Sequence, residues 1–312
     1  MKKMIVRRLL IGLVIMLAAA LLSFSVLYAA PGSPAENILR QRYGEDPSYQ
    51  EIQAFMEQND LNKPVLTQLT QWLYMVFRFD FGTSLSTNEP VIEEFFDRFG
   101  ATLQLALVSL AISAPLAIVI GTCAAARKNG IFDHVSRFFT LLGISIPDFW
   151  LGLILMILFS RTLHLLPSFG YGGPEHMVMP VITMVVGHTA SLSRITRSSV
   201  LETMSSDYIL SARGNGLKER LIVIRYALRN ALAPIVTALG GQLGHMLAGA
   251  VVVETVFGWP GIGKFLVDAI YAKDYPVIQG FIMIIAFMYV VINLLTDILY
   301  VYIDPRIRYE KG

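Results

Sequence analysis

Ser205–Asn230, SSDYILSARGNGLKERLIVIRYALRN, is a polar island between two apolar stretches, and its reading decides the fold. It carries Arg213, Lys218, Arg220, Arg225 and Arg229, yet Leu217, Leu221, Ile224 and Leu228 recur at helical intervals and define one face. Lys218, Arg225 and Arg229 form a basic stripe beside that face. Ser205, Ser206 and Asp207 offer N-cap chemistry for a first helix. Gly214-Asn215-Gly216 then interrupts the chain where a sharp bend is needed. The segment predicts a helix–turn–helix at the inner membrane surface, able to take a push from a soluble partner and pass it to the spans on either side.

Those spans follow from composition. The chain of 312 residues is 54% hydrophobic and 15% charged, with a mean hydropathy of +0.57. A soluble domain sits nearer a quarter charged, whereas ~20 apolar residues suffice to cross a bilayer as a helix. Six stretches qualify: Leu9–Ala30, Ala101–Ala126, Phe138–Ser160, Met177–Ser193, Ala233–Val256 and Val277–Tyr302. Thr183, His188 and Ser191 make the fourth the most polar. Strands of alternating character are absent from the sequence, so an all-α polytopic membrane protein is expected. The N-terminus resembles a signal peptide, but its apolar run exceeds the usual ~7–15 residues, which predicts a retained first span. Cys123 falls inside a span and reads as a small core residue.

Lysine and arginine counts set the orientation. With the N-terminus inside, seventeen cations fall on the inner side and eight on the outer. Both termini are then cytoplasmic, and the basic island lies inside. The sequence divides into residues 1–30, the first helix; 31–100, an acidic extracytoplasmic loop region; 101–303, the transmembrane core; and 304–312, a cytoplasmic tail. In the loop, Pro47–Asp60 reads as a short amphipathic helix. Leu69–Phe81 is aromatic and suits the membrane interface.

Asp207-Tyr208-Ile209, Ala212-Arg213, Gly216 and Ala227-Leu228-Arg229-Asn230-Ala231 resemble the cytoplasmic coupling loop of bacterial ABC importer permeases of the dipeptide/oligopeptide/nickel family. Leu210-Ser211-Ala212 stands where the wider superfamily has Glu-Ala-Ala, so the acidic residue is missing. Val253–Gly263 (VETVFGWPGIG), Asp274–Gln279 (DYPVIQ) and Asp304–Arg308 (DPRIR) are similar to the same branch. The resemblance implies a type I importer permease fold with no catalysis of its own. It also implies a second homologous permease, two cytoplasmic ATPase subunits, an extracytoplasmic binding protein and surrounding lipid, with no nucleic acid and no cofactor. It assigns ATPase coupling to Asp207, Tyr208, Ala212, Arg213, Gly214, Gly216 and Leu217.

Gly258 to Lys264 fits G-x-x-x-x-G-K, but Phe265 follows where a nucleotide loop needs Ser or Thr. Charged and titratable groups within spans are candidate pore or gate residues: Glu254, His188, His245 and Asp297. None of the five histidines pairs at i, i+4, so no resident metal centre is expected. Pro167–His176 (PSFGYGGPEH) resembles nickel-type members, making nickel, or nickel or another transition metal carried on a small chelator, the first expectation for cargo and a di- or oligopeptide the alternative. An ion-coupled secondary transporter would be expected to show inverted repeats, and none is visible. H-E-x-x-H and G-x-S-x-G motifs are likewise missing.

Overall fold

The computed structural model describes the backbone of residues 2–29, 32–44 and 46–303. Within these it describes all side chains except those of 2–6, 9, 248, 249 and 296–303. The expected tail 304–312, with its Asp304–Arg308 motif, lies outside the described residues.

Thirteen helices account for most of the described residues, in the order α1 (Lys2–Ala29), α2 (Pro34–Tyr43), α3 (Tyr49–Gln58), α4 (Val65–Phe77), α5 (Val91–Ala126), α6 (Ile131–Ser145), α7 (Asp148–Leu155), α8 (Pro174–Met204), α9 (Asp207–Gly214), α10 (Glu219–Leu221), α11 (Arg229–Phe257), α12 (Ile262–Ala272) and α13 (Tyr275–Ile303). Wide π turns extend α7 over Met156–Thr162 and join α10 to α11 over Ile222–Leu228. The only strand pairing among the described residues is an isolated bridge between Thr83 and Pro90. Five helices are long and apolar enough to cross a membrane, or up to seven spans if each of two broken pairs is counted.

The third expected span is one of those broken pairs. Phe138–Ser160 is not a single helix: α6 and the α7 segment meet at a 98° bend. Pro147 causes it. Ile146 is pushed to an extended conformation (φ −79°, ψ 120°) ahead of the proline ring, and Pro147 itself forms the N-cap of α7. Pro115, Pro180 and Pro234 are instead carried inside α5, α8 and α11. The core reading of Cys123 is also corrected, because this residue is exposed on α5.

The chain forms two compact units. One comprises residues 1–102 and 260–291. Its core joins Phe24 of α1, Trp72 of α4, Phe95 of α5, Ile262 and Ala269 of α12, and Phe281 of α13. A satellite cluster under α2 and α3 gathers Ala35, Ile38, Leu39, Phe55 and Leu85. The expected helix in Pro47–Asp60 is α3, opened by a capping box in which Ser48 and Glu51 bond reciprocally. Those bonds hold the Glu51 carboxyl below its ordinary value. Asp274 organises the link to α13. Its fully buried carboxylate accepts from Ser84 Oγ and Ser86 Oγ, both at 2.6 Å, and from the amides of Leu85 and Ser86 at 3.1 and 3.0 Å.

The other unit comprises residues 103–259 and 292 onward. Here α8 packs against α6, α7 and α11. Close approach explains several small residues: a Cβ on Gly121 would come within 2.6 Å of the Ser193 carbonyl, and one on Gly143 within 2.8 Å of Ala190 Cβ. The polar residues that weaken α8 as a span, such as Thr183, Ser193 and Thr196, are buried against neighbouring helices.

Candidate functional site: the coupling element and the gate residues

α9 takes its shape from a tight C-terminal cap. Gly216 adopts φ +75°, its amide donates to Arg213 O at 2.9 Å, and Leu217 N donates to Ala212 O at 3.2 Å. This pair of bonds is a Schellman motif with its glycine at the left-handed position. Gly214, by contrast, lies inside α9 and needs no special conformation. At the other end Ser206 occupies the N-cap, but its side chain makes no capping bond, and Ser205 Oγ turns back to Glu202 O at 2.7 Å. The serine capping read from the sequence is therefore positional only.

Ile209 and Ala212 point into the second unit's core with Ala117, Leu192, Val200, Ile222 and Ile235, while Tyr208, Leu210 and Arg213 face outward. Arg213 bridges the turn to Glu219, with Nη2 at 2.6 Å from one carboxylate oxygen and Nε at 3.2 Å from the other. All seven expected coupling residues thus fall on α9 and its cap.

The second half of the expected helix pair is different. It is not a separate helix but leads through the π turn directly into α11. Its buried residues are Ile222, Val223 and Ala227, and Leu221 and Ile224 are exposed. A π turn inserts residues relative to the 3.6-residue repeat, so a face counted at uniform α spacing misses the buried one. Lys218, Arg225 and Arg229 are exposed as expected.

A buried ion pair between α6 and α8 went unnoticed in the sequence. Asp133 of α6 is fully buried and receives Arg197 of α8 at 2.6 Å (Nε) and 2.8 Å (Nη2), with Asn129 N at 2.9 Å. A single Asp in the first turn after Gly130 and an Arg in the polar end of α8 carry no periodic signal linking them.

The gate candidates separate. His188 on α8 is half-buried and His245 on α11 exposed. Gln242 Nε2 donates to His188 O at 3.2 Å, tying the same helices together. Glu254 is fully buried on α11. The side chain of Asp297 lies outside the described residues. No group of three His, Cys, Asp or Glu side chains converges as a metal site among the described residues.

The Gly-Tyr-Gly-Gly loop has a packing role. Gly170 (φ +103°) donates its amide to Phe257 O at 2.9 Å, Tyr171 stands edge-on to Trp259 at 4.7 Å, and the Phe169 ring covers Gly258 so closely that a Cβ there would lie 2.2 Å away. His176 lies beside Gly172 and 3.5 Å from Glu175. The loop covers the end of α11, where Gly258 (φ +63°) and the Trp259 N to Glu254 O bond of 2.8 Å close the helix. The G-x-x-x-x-G-K run therefore begins at a helix cap and ends within α12, with no strand before it.

Comparison with known proteins decides the family. Residues 117–309 match the model of the binding-protein-dependent transport system inner membrane component, and residues 1–106 match its N-terminal companion. The chain belongs to this family of binding-protein-dependent transport permeases. The dipeptide transport system permease protein DppB of Alkalihalophilus pseudofirmus is 36% identical over 97% of this chain and 98% of its own. The protein of the same name from Escherichia coli strain K12 is 35% identical over the full length of both. In fold, the permease is similar to the inward-facing MetNI methionine ABC transporter, with a TM-score of 0.60 over 69% of this chain and 99% of that one, at 17% identity. A second crystal form gives a TM-score of 0.55. The protein is an ABC importer permease, all-helical and multi-pass. Nickel, the first expectation for cargo, finds no support in these relatives, which bear dipeptide names, and the loop that suggested it covers a helix end.

Proposed function

We propose that this permease imports dipeptides or short oligopeptides. The observation that carries this reading is the full-length similarity to two permeases named for dipeptide transport. In this reading the permease sits in the bacterial inner membrane with both termini cytoplasmic. It pairs with a second, homologous permease to enclose the pore. An extracytoplasmic binding protein delivers the peptide, and two ATPase subunits grip α9 of each permease. The chain itself performs no chemistry; ATP-driven closure of the ATPases displaces α9, and the movement passes through Ile209 and Ala212 into the helices that α9 packs on. His188, His245 and Glu254 are the candidate gate positions to substitute first.

Uptake in cells lacking and then regaining the gene tests the cargo. Restored growth on a required dipeptide, with no change in radioactive nickel uptake, is the expected outcome. Restored nickel uptake that unlabelled dipeptides do not inhibit would overturn it. For the coupling assignment, Gly216→Pro should leave membrane insertion intact but separate ATP hydrolysis from transport, because proline can neither adopt φ +75° nor supply the amide bonded to Arg213 O.

A further inference from the structure

A cavity of about 140 Å³ lies between α5, α6 and α8 in the second unit. Arg137 of α6 and Arg194 and Arg197 of α8 line it, and no carboxylate does. Arg197 commits Nε and Nη2 to the fully buried Asp133, which leaves Nη1 as a donor without a protein acceptor among the described residues. Arg137 lies 3.7 Å from the same carboxylate and 2.8 Å from His134 Nδ1, and its side chain is 45% exposed. Arg194 is exposed and has no ion-pair partner among the described residues. Three guanidiniums against one inaccessible carboxylate leave positive charge in excess. Like charges lining one small cavity repel, so the cavity favours an anion. The Thr140 hydroxyl adds a polar group that can turn to a ligand, since its own contact with Ser193 Oγ is long at 3.3 Å.

Size and place narrow the ligand. The cavity is smaller than the ~300–1,000 Å³ of sites that enclose a whole small molecule, so it suits one charged group of a molecule whose remainder lies outside. Its lining joins the last two turns of α5, residues 136–141 of α6 and residues 193–197 of α8. The expected spans Ala101–Ala126, Phe138–Ser160 and Met177–Ser193 all have an end here, which puts the cavity at one membrane surface. On the orientation read from lysine and arginine counts, that surface is the inner one. Ile120, Ala124 and Leu141 give the lining an apolar side, and Leu141 and the neighbouring Phe138 are 62% and 58% exposed. A basic cavity between spans with an exposed apolar flank fits the head group of an anionic lipid.

We propose that this cavity holds the phosphate of an anionic phospholipid of the inner leaflet. Arg194, Arg137 and Nη1 of Arg197 donate to the phosphate oxygens, and the acyl chains run along the exposed apolar side of α6. A zwitterionic lipid fits worse, because its ammonium repeats the charge already in excess. The lipid braces α5 and α8, which supply Ala117, Leu192 and Val200 to the core around the buried face of α9.

Native mass spectrometry tests this on the full-length chain, alone and assembled with its partner subunits, after delipidation in detergent. The probes are phosphatidylglycerol, phosphatidylethanolamine and inorganic phosphate. One phosphatidylglycerol should be retained per chain in both preparations, with phosphatidylethanolamine held about tenfold more weakly. Arg194→Gln and Arg137→Gln should each weaken phosphatidylglycerol retention roughly tenfold. Arg225→Gln, an equal loss of charge at an exposed position outside the cavity, should leave retention unchanged. Arg194→Gln should also keep the parental lipid-free unfolding midpoint, which separates lost binding from lost structure. Equal retention of phosphatidylethanolamine, parental retention by both cavity variants, an equal loss in Arg225→Gln, or absence of the lipid from the assembled transporter would overturn the assignment. Displacement of the lipid by inorganic phosphate would overturn it too, by giving the site to a free anion. Because the readout is lipid retention, failure here leaves the peptide-import reading untouched.

Discussion

Gly216 and Gly214 stand two residues apart and make opposite demands. Gly216 holds φ +75° with open space around its Cα; Gly214 is helical and equally open. Nothing would collide with a Cβ at either position, so backbone conformation alone decides the outcome. Gly216→Ala should cost about 1–2 kcal/mol by forcing an L-residue left-handed, and Gly214→Ala should gain roughly 0.5–1 kcal/mol of helix stability. Thermal unfolding of the two purified variants should therefore move in opposite directions. The Asp133–Arg197 pair allows a second test at this scale. Arg197→Met leaves a buried carboxylate with Asn129 N and a distant Arg137 (3.7 Å), and should cost about 3 kcal/mol. Adding Asp133→Leu removes the stranded charge, so the double variant should recover more than half of that loss in the same measurement. If the double variant unfolds as early as the single, uncompensated charge is not what destabilises it.

Among the elements, the spans were legible because bilayer thickness imposes length and apolarity together, and α1, α5, α8, α11 and α13 all contain an expected span. Pro147 and Asp148 mark an irregular stretch of the third span in the sequence, but not the 98° size of its break, because the run is continuously apolar and hydropathy has no contrast there. One feature escaped for a physical reason. The face buried beyond α9 was misread because hydrophobic periodicity presumes a constant residues-per-turn, which the π turn at Ile222–Leu228 violates. The residues expected to couple were named from a motif, and the Schellman bonds that hold their backbone are visible only in the folded chain. The role of Asp274 was hidden for a different reason: its donors, Ser84 to Ser86, are nearly two hundred residues away in sequence. Asp274→Ala should cost ~3 kcal/mol by stranding these donors and removing the cap of α13. Limited proteolysis should then cut within residues 83–90, a segment that stays protected in the parent.

At the scale of the whole molecule, the proposed coupling has the energy for transport entering as a push from partner ATPase subunits. α9 is the element suited to receive it, because its two faces do different things. Leu210 is 69% exposed, on the side available to a partner, whereas Ile209 is completely buried among residues from α5, α8 and α11. Receiving force and transmitting it should therefore be separable by substituting adjacent residues. Leu210→Asp should weaken association with the ATPase subunits and leave the permease as stable as the parent. Ile209→Ala should leave association intact, cost about 2–5 kcal/mol through the cavity it opens, and lower the amount of peptide transported per ATP hydrolysed. Pull-down of the ATPases and coupled uptake in proteoliposomes measure the two quantities independently. Loss of association in Ile209→Ala, or undiminished coupling despite the cavity, would mean that the push does not travel through the buried face of α9.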